Sequence, residues 1–187
     1  MPHLAQQYGH TLKRHLSSER PQYRGISLPP AGMVFAEKPT IISTLLGSCV
    51  AVTLYCRSRK MGAMCHALLP VCRPEICACS KHKHEYRSIE CSIEEMLSLF
   101  AARGIFPKDL EAKIFGGATI LDFGHDTHYG VGRKNVDRAA EILDNAGLHA
   151  KSSHVGGESG RRLYFVSDVG DVFLRRIEPQ SFTSQKR

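Results

Sequence analysis

The chain has 187 residues, 42% of them hydrophobic, enough for one domain with an apolar core and no structural metal or disulfide. Its apolar runs are short and broken by charge, which excludes a transmembrane helix, and the opening MPHLAQQYGHTLKRHL lacks the apolar run of a signal peptide, so a cytoplasmic protein without direct membrane insertion is expected. The net charge of +7 admits nucleic acid, an anionic surface or an acidic protein as partner, but Lys13-Arg14, Arg57 to Lys60, Arg161-Arg162 and Arg175-Arg176 form no aromatic-interleaved stripe, which argues against nucleic acid.

Residues 1–24 are polar, His-rich and aperiodic and read as a flexible arm. Met33 to Lys38, Thr40 to Leu46 and Val50 to Cys56 then read as successive strands. Val50 to Tyr55 carries no charge, as a strand covered on both faces should. The charged stretch Arg57-Ser58-Arg59-Lys60 leads into Met61 to Leu69, ended by Pro70. This hairpin brings His66 back towards the start of the preceding strand.

Val71 to Tyr86 reads as a loop dense in Cys, His and Lys. Ile89, Ile93, Met96, Leu97 and Phe100 have helical spacing, and a capping box of Ser92 with Glu95 would set a late start for that helix. Leu110 to Phe115 is a short strand running into Gly116-Gly117, and Leu121 to Gly130 a polar loop. A second helix is predicted with Asn135 as N-cap, Val136, Ala139, Ala140, Leu143 and Ala146 on its buried face, and Gly147 as its stop. Leu148 to Val155, Arg161 to Ser167 and Asp171 to Ile177 read as three closing strands, and 179–187 as a polar tail. Consecutive strands without intervening helices rule out a doubly wound sheet; the elements imply an α/β fold with a mixed sheet.

Seven cysteines, an odd number without a secretory signal, argue against a disulfide framework. Cys56, Cys65 and Cys91 read as packing residues. Cys49 has two readings: a small buried cysteine at a strand start, which the local sequence alone favours, or an exposed thiol, because Gly47-Ser48 puts it at a turn between two strands. Gly47 permits a tight backbone there, and nearby N–H groups could face a developing oxyanion. If the hairpin pairs as expected, Cys49 and His66 meet at one end of the ladder. A thiol beside an imidazole could then ionise as a thiolate–imidazolium pair and act as a nucleophile. Ser43 and Thr44 both lie just upstream, and either hydroxyl could orient the ring. The glycines of Gly130-Val131-Gly132 and of Gly156-Gly157 with Gly160 lack the companions of a nucleotide-binding loop. Of Arg161 and Arg162, alternation makes one an ordinary solvent-facing residue.

A resemblance to a known family rests on these same residues. Leu46-Gly47-Ser48-Cys49-Val50-Ala51-Val52, Gly62-Ala63-Met64 with His66 and Leu69-Pro70, Lys113-Ile114-Phe115-Gly116-Gly117-Ala118, Gly132-Arg133 with Asn135-Val136, and Gly156-Gly157 with Gly160-Arg161-Arg162 together resemble the CheD family of chemoreceptor glutamine deamidases. The match runs from about Gly32 to Ile177, in family order.

The resemblance implies a layered α/β/β sandwich similar to the catalytic domain of cytotoxic necrotising factor toxins, spanning 25–178. It implies a protein-glutamine glutaminase with Cys49 as nucleophile, His66 as base and no cofactor. The family's threonine, six places before the nucleophile, falls on Ser43, with Thr44 one place later. The implied reaction converts receptor glutamines to glutamates through a thioester on Cys49, and the same chemistry could cleave a glutamate methyl ester. Implied partners are the cytoplasmic helices of methyl-accepting chemotaxis receptors and a CheC-type phosphatase. The chain departs from the family at His154, where an acidic residue usually precedes Val-Gly-Gly, and in its Cys/His-rich loop.

That loop supports a rival expectation. Cys72, Cys77, Cys79, His82 and His84 offer enough ligands for a zinc-binding interaction module, though their spacing matches no common paired pattern. A further alternative is a non-catalytic chemotaxis regulator that acts by binding.

Overall fold

The computed structural model describes residues 23–72, 86–119 and 130–177. The expected arm, apart from its last residues Tyr23 and Arg24, and the whole of the expected tail therefore lie outside the described residues, as do Cys77, Cys79, His82, His84 and the 121–129 loop.

The strands are β1 (Arg24–Ser27), β2 (Gly32–Ala36), β3 (Thr40–Leu46), β4 (Val50–Cys56), β5 (Met61–Ala67), β6 (Leu110–Gly116), β7 (Ala150–Val155), β8 (Gly160–Val166) and β9 (Asp171–Ile177). The helices are α1 (Ile89–Ala101) and α2 (Val131–Asn145), with a short 3₁₀ turn at Pro107–Asp109. One sheet has the order β2-β5-β4-β6-β7 and the other β1-β3-β8-β9. Only β1–β3 and β6–β7 pair in parallel, so both sheets are mixed, as expected.

Alternation along the strands builds three layers. Val50, Val52, Leu54 and Cys56 of β4, with Ala63 and Cys65 of β5, pack against Ile89, Ile93, Met96 and Phe100 of α1 and Ala139 and Leu143 of α2. The opposite face of the same strands presents Ala51, Tyr55 and Met64 to Ile42 and Leu46 of β3 and Leu163 and Phe165 of β8. The layering is thus helices, large sheet, small sheet. Central β4 is buried along its whole length, which is why its sequence shows no polar face. Gly62 lies within β5, where a Cβ would stand 2.6 Å from Phe165 Cζ.

Three boundaries differ from expectation. Helix α1 starts at Ile89 with Ser88 as its cap, accepting from the Cys91 N–H, while Ser92 lies inside the helix and donates back to the Ser88 carbonyl at 2.7 Å. Helix α2 starts at Val131, four residues before the expected cap; Asn135 is instead buried within it and donates from Nδ2 to the Leu68 carbonyl at 3.0 Å. Strand β1 was not expected at all. Its short, largely exposed sequence carries no alternation to betray it, and its partner strand β3 supplies the order.

Phe165 is fully buried between the sheets, so Phe165→Ala should lower stability by about 3–5 kcal/mol in urea denaturation. Arg162→Ala, exposed on the same strand, should stay within about 0.5 kcal/mol of wild type.

Candidate active site

The space between the two sheets holds the polar residues that matter. On β3, Ile42 and Leu46 point inward, so Thr44, of the same parity, also points inward and Ser43 outward. On β5, Met64 points inward, and so does His66. The two sheets are therefore bridged by a 2.8 Å contact between Thr44 Oγ1 and His66 Nδ1. Ser43 Oγ turns to the Ile26 carbonyl on the other side, at 3.4 Å. Of the two hydroxyls left open by the sequence, the structure brings Thr44 to the imidazole and not Ser43.

The tautomer follows from counting hydrogens. Thr44 Oγ1 has one proton and donates it to the Leu28 carbonyl at 2.8 Å. It can then only accept from His66, so the ring proton sits on Nδ1 and Nε2 keeps its lone pair. Nε2 is buried and has no hydrogen-bond partner among the described residues. Burial lowers the His66 pKa from its ordinary 6.5 to about 4, so the ring is neutral at physiological pH. An unspent acceptor in a buried site is costly.

Cys49 sits at the end of a Gly47–Cys49 bend joining β3 to β4. His66 pairs with Ala51 across the β4–β5 ladder, and Cys49, two residues before Ala51 in the bend that leads into β4, packs against the inter-sheet cluster to which Ala51 and Met64 belong. Cys49 is half-buried and packs at the edge of the inter-sheet core. Burial raises its thiol pKa above the ordinary 9.0, and its own backbone N–H partly offsets this.

The resting pair is thus a thiol beside a neutral imidazole, without a hydrogen bond between them. Desolvation runs against the thiolate–imidazolium pair expected from the sequence, because both groups lose water and both charges are disfavoured.

The bend is held from outside by glycines. Gly117 N–H donates to the Cys49 carbonyl and Ala118 N–H to the Gly47 carbonyl, both at 2.9 Å. Gly116 has φ 111°, and a Cβ on it would lie 2.1 Å from the Cys49 oxygen. A Cβ on Gly117 would meet the Gly132 carbonyl at 2.8 Å. The Phe115-Gly116-Gly117-Ala118 segment is therefore a backbone clamp on the cysteine turn, set against the start of α2. Ser48 is exposed at the tip of the bend.

Sequence reading missed the Leu28 carbonyl, which no side-chain pattern can reveal, and the structural use of Gly116. It also did not anticipate that Arg161 is buried, at 2% exposure. Arg162 is the solvent-facing member of that pair, as alternation requires. Cys56 and Cys65 are fully buried among apolar neighbours, whereas Cys91 is only partly covered. Of the five candidate zinc ligands only Cys72 is described, and no group of three or more possible ligands exists among the described residues.

Comparison with known proteins places this geometry in context. The model of a family described as "CheD chemotactic sensory transduction" matches residues 74–176. "Probable chemoreceptor glutamine deamidase CheD 2" of Geobacter sulfurreducens is 37% identical over 87% of this chain and 96% of that protein. A protein of the same description, CheD, from Maridesulfovibrio salexigens is 37% identical over 78% of this chain and 87% of its own. One from Thermococcus kodakarensis is 36% identical over 76% and 86%. Among solved structures, the hypothetical protein YfiH of Bacillus licheniformis aligns with a TM-score of 0.40 at 11% identity, over 67% of this chain and 49% of that one, too slight a likeness to bear on fold or function. No helix among the described residues is long and apolar enough to cross a membrane.

The buried neutral histidine has a signature in stability. Its folded pKa of about 4 lies below the ordinary 6.5, so between these values the unfolded chain takes up the proton first. Its contribution is intact above about pH 6.5 and is lost as pH falls towards about 4. Thermal melts of wild type should drop more steeply across that window than those of His66→Gln, and parallel slopes would contradict the assignment.

Proposed function

The chain belongs to the CheD family, and from that premise we propose that it is a protein-glutamine deamidase acting on chemoreceptors, with Cys49 as nucleophile and His66 as the proton-transfer group. The observation that carries the reading is the buried His66 Nε2 lone pair, held in place by Thr44 on the face it shares with Cys49. Such an acceptor can take the thiol proton without prior ionisation of the cysteine.

The chemistry runs in two halves. Substrate glutamine enters above the bend, and rotation about the Cys49 side chain brings Sγ to Nε2. Sγ attacks the side-chain amide carbon as its proton passes to Nε2, forming a tetrahedral adduct. Nε2 returns the proton to nitrogen as the C–N bond breaks, and ammonia departs. Water then adds to the thioester while Nε2 accepts its proton. The C–S bond breaks, sulfur regains the proton, and a glutamate side chain remains. The imidazolium that forms in each half is stabilised through Nδ1–H to Thr44 and on to Leu28.

The backbone amides of Ser48 and Cys49, on the bend that Gly47 makes possible, supply the oxyanion donors in this scheme. Thr44 takes the third role ahead of Ser43, because it has the geometry for it. The receptor segments are acidic helices in the cytoplasm, and the chain's net charge of +7 favours their approach. The resemblance supports a CheC-type phosphatase as a second partner, to be sought by co-purification.

Incubation with receptor cytoplasmic fragments should give a mass gain of about one dalton per modified glutamine, absent with Cys49→Ala. Persistence of the gain in that variant, or its absence with wild type, would defeat the proposal. Thr44→Val should lower kcat by about tenfold or more by releasing the ring. Ser43→Ala, whose hydroxyl faces away, should stay within about twofold.

A further inference from the structure

At the rim of the inter-sheet space, beside the cysteine bend, β7, β8 and the turn between them form a groove lined by His154, Gly156, Glu158, Arg161 and Arg176 among others. Arg161 and Arg176 lie directly opposite one another across the β8–β9 ladder, and Leu163 and Leu174 of the same parity face the inter-sheet core. Two like charges in register on one face destabilise a sheet unless something else neutralises them.

Nothing within the described structure does so. Arg161 Nη1 donates to the His154 carbonyl and Nη2 to the Gly156 carbonyl, while its Nε is buried and has no partner among the described residues. Nη1 also stands 3.0 Å from His154 Nδ1, and Arg176 Nη2 stands 3.4 Å from His154 Nε2. A neutral imidazole has one lone pair on nitrogen, so at most one of these two contacts is a hydrogen bond; a protonated ring accepts neither. Among the described residues no carboxylate pairs with either arginine, although Glu158 stands on the rim. Burial and the neighbouring Arg176 both push the Arg161 pKa down. The cluster has donors and positive charge in excess of acceptors, around a groove open to a ligand.

Its position relates it to the cysteine. Leu46, three residues before Cys49, pairs with Arg161 across β3–β8. Gly156 N–H donates to the Gly116 carbonyl and Thr119 N–H to the Gly157 carbonyl, at 2.9 and 2.8 Å, and Gly116 lies against the Cys49 carbonyl. Neighbouring strands are about 5 Å apart and a helical turn rises about 5.4 Å. A helix presenting a glutamine to Cys49 would therefore carry residues one or two turns away past this groove.

We propose that the Arg161–His154–Arg176 groove binds a carboxylate side chain of the protein substrate, placed within about two helical turns of the target glutamine, and so selects glutamines by their acidic neighbours. The proposal rests on the deamidase reading for the nature of the ligand. A carboxylate fits because its two oxygens accept from a guanidinium pair in a planar, charge-assisted arrangement. It would supply the acceptors the cluster lacks.

Arg176 is exposed and makes no contact with Thr44, His66 or Cys49, so its variants should fold. The test uses helical peptides with one glutamine and a glutamate moved in single steps over two turns on either side, against the same peptide with alanine there. Binding to the Cys49→Ala protein is read by fluorescence anisotropy, which needs no turnover. At one or more positions the glutamate peptide should bind about fivefold more tightly than the alanine peptide. Arg176→Ala added to Cys49→Ala should remove that preference without weakening the alanine peptide, and Arg176→Glu should shift it to a lysine-bearing peptide. Equal affinity for both peptides at every position, or equal loss on both in Arg176→Ala, would overturn the proposal. Ammonia release by wild type from the alanine peptide tests the deamidase reading separately. If it fails while the binding preference stands, the groove survives and the activity does not.

Discussion

One hydrogen bond between two sheets organises this site. Thr44 on the small sheet accepts a hydrogen bond from the Nδ1–H of His66 on the large sheet at 2.8 Å, and donates its own hydroxyl hydrogen bond to the Leu28 carbonyl. Each member of the relay is committed, so the direction of every proton is fixed without reference to substrate. The consequence lies at the far side of the ring, where Nε2 is left as a buried acceptor without a partner among the described residues. Orienting an imidazole by an uncharged partner has a further effect. A carboxylate there would raise the histidine pKa, whereas a threonine leaves burial to lower it to about 4. Desolvation then disfavours a standing thiolate and a standing imidazolium alike, and in the proposed mechanism charge develops only as the sulfur attacks.

The glycines near the cysteine serve this arrangement. For Cys49, the proposed nucleophile, a backbone fixed from more than one direction matters, because a shift of about 1 Å can cost two orders of magnitude in rate. The bend at Gly47–Cys49 receives two backbone hydrogen bonds from Gly117 and Ala118. The close approach this requires leaves no room for a side chain at Gly116. The same segment accepts the Gly156 N–H, so the cysteine bend and the arginine groove share one support. Catalysis and recognition of the flanking sequence would then be set by a single rigid edge of the sandwich.

Much of this was legible in the sequence. The β4–β5 hairpin was readable because a charged four-residue connection separates two uncharged runs, and pairing through it placed His66 opposite Ala51. The Cys49–His66 neighbourhood followed. The choice between Ser43 and Thr44 was not legible, because Ile41-Ile42 and Leu45-Leu46 are apolar at both parities. Alternation therefore fails to say which residue faces inward, and counting six places back from the cysteine points to the wrong side of the strand. The ionisation state was hidden for another reason: it depends on burial of both groups, which spacing does not encode. The start of α2 was misplaced because Asn135, a good capping residue by type, is used inside the helix to hold the Leu68 carbonyl.

The most direct check of this account is the protonation of His66 itself. Nitrogen-15 NMR of the resting protein at neutral pH, with His66 assigned by comparison with His66→Gln, distinguishes a protonated ring nitrogen from one with a free lone pair. The account predicts a neutral ring with the proton on Nδ1 and a bare Nε2, persisting down to about pH 4. A proton on Nε2, or an imidazolium at pH 7, would contradict it.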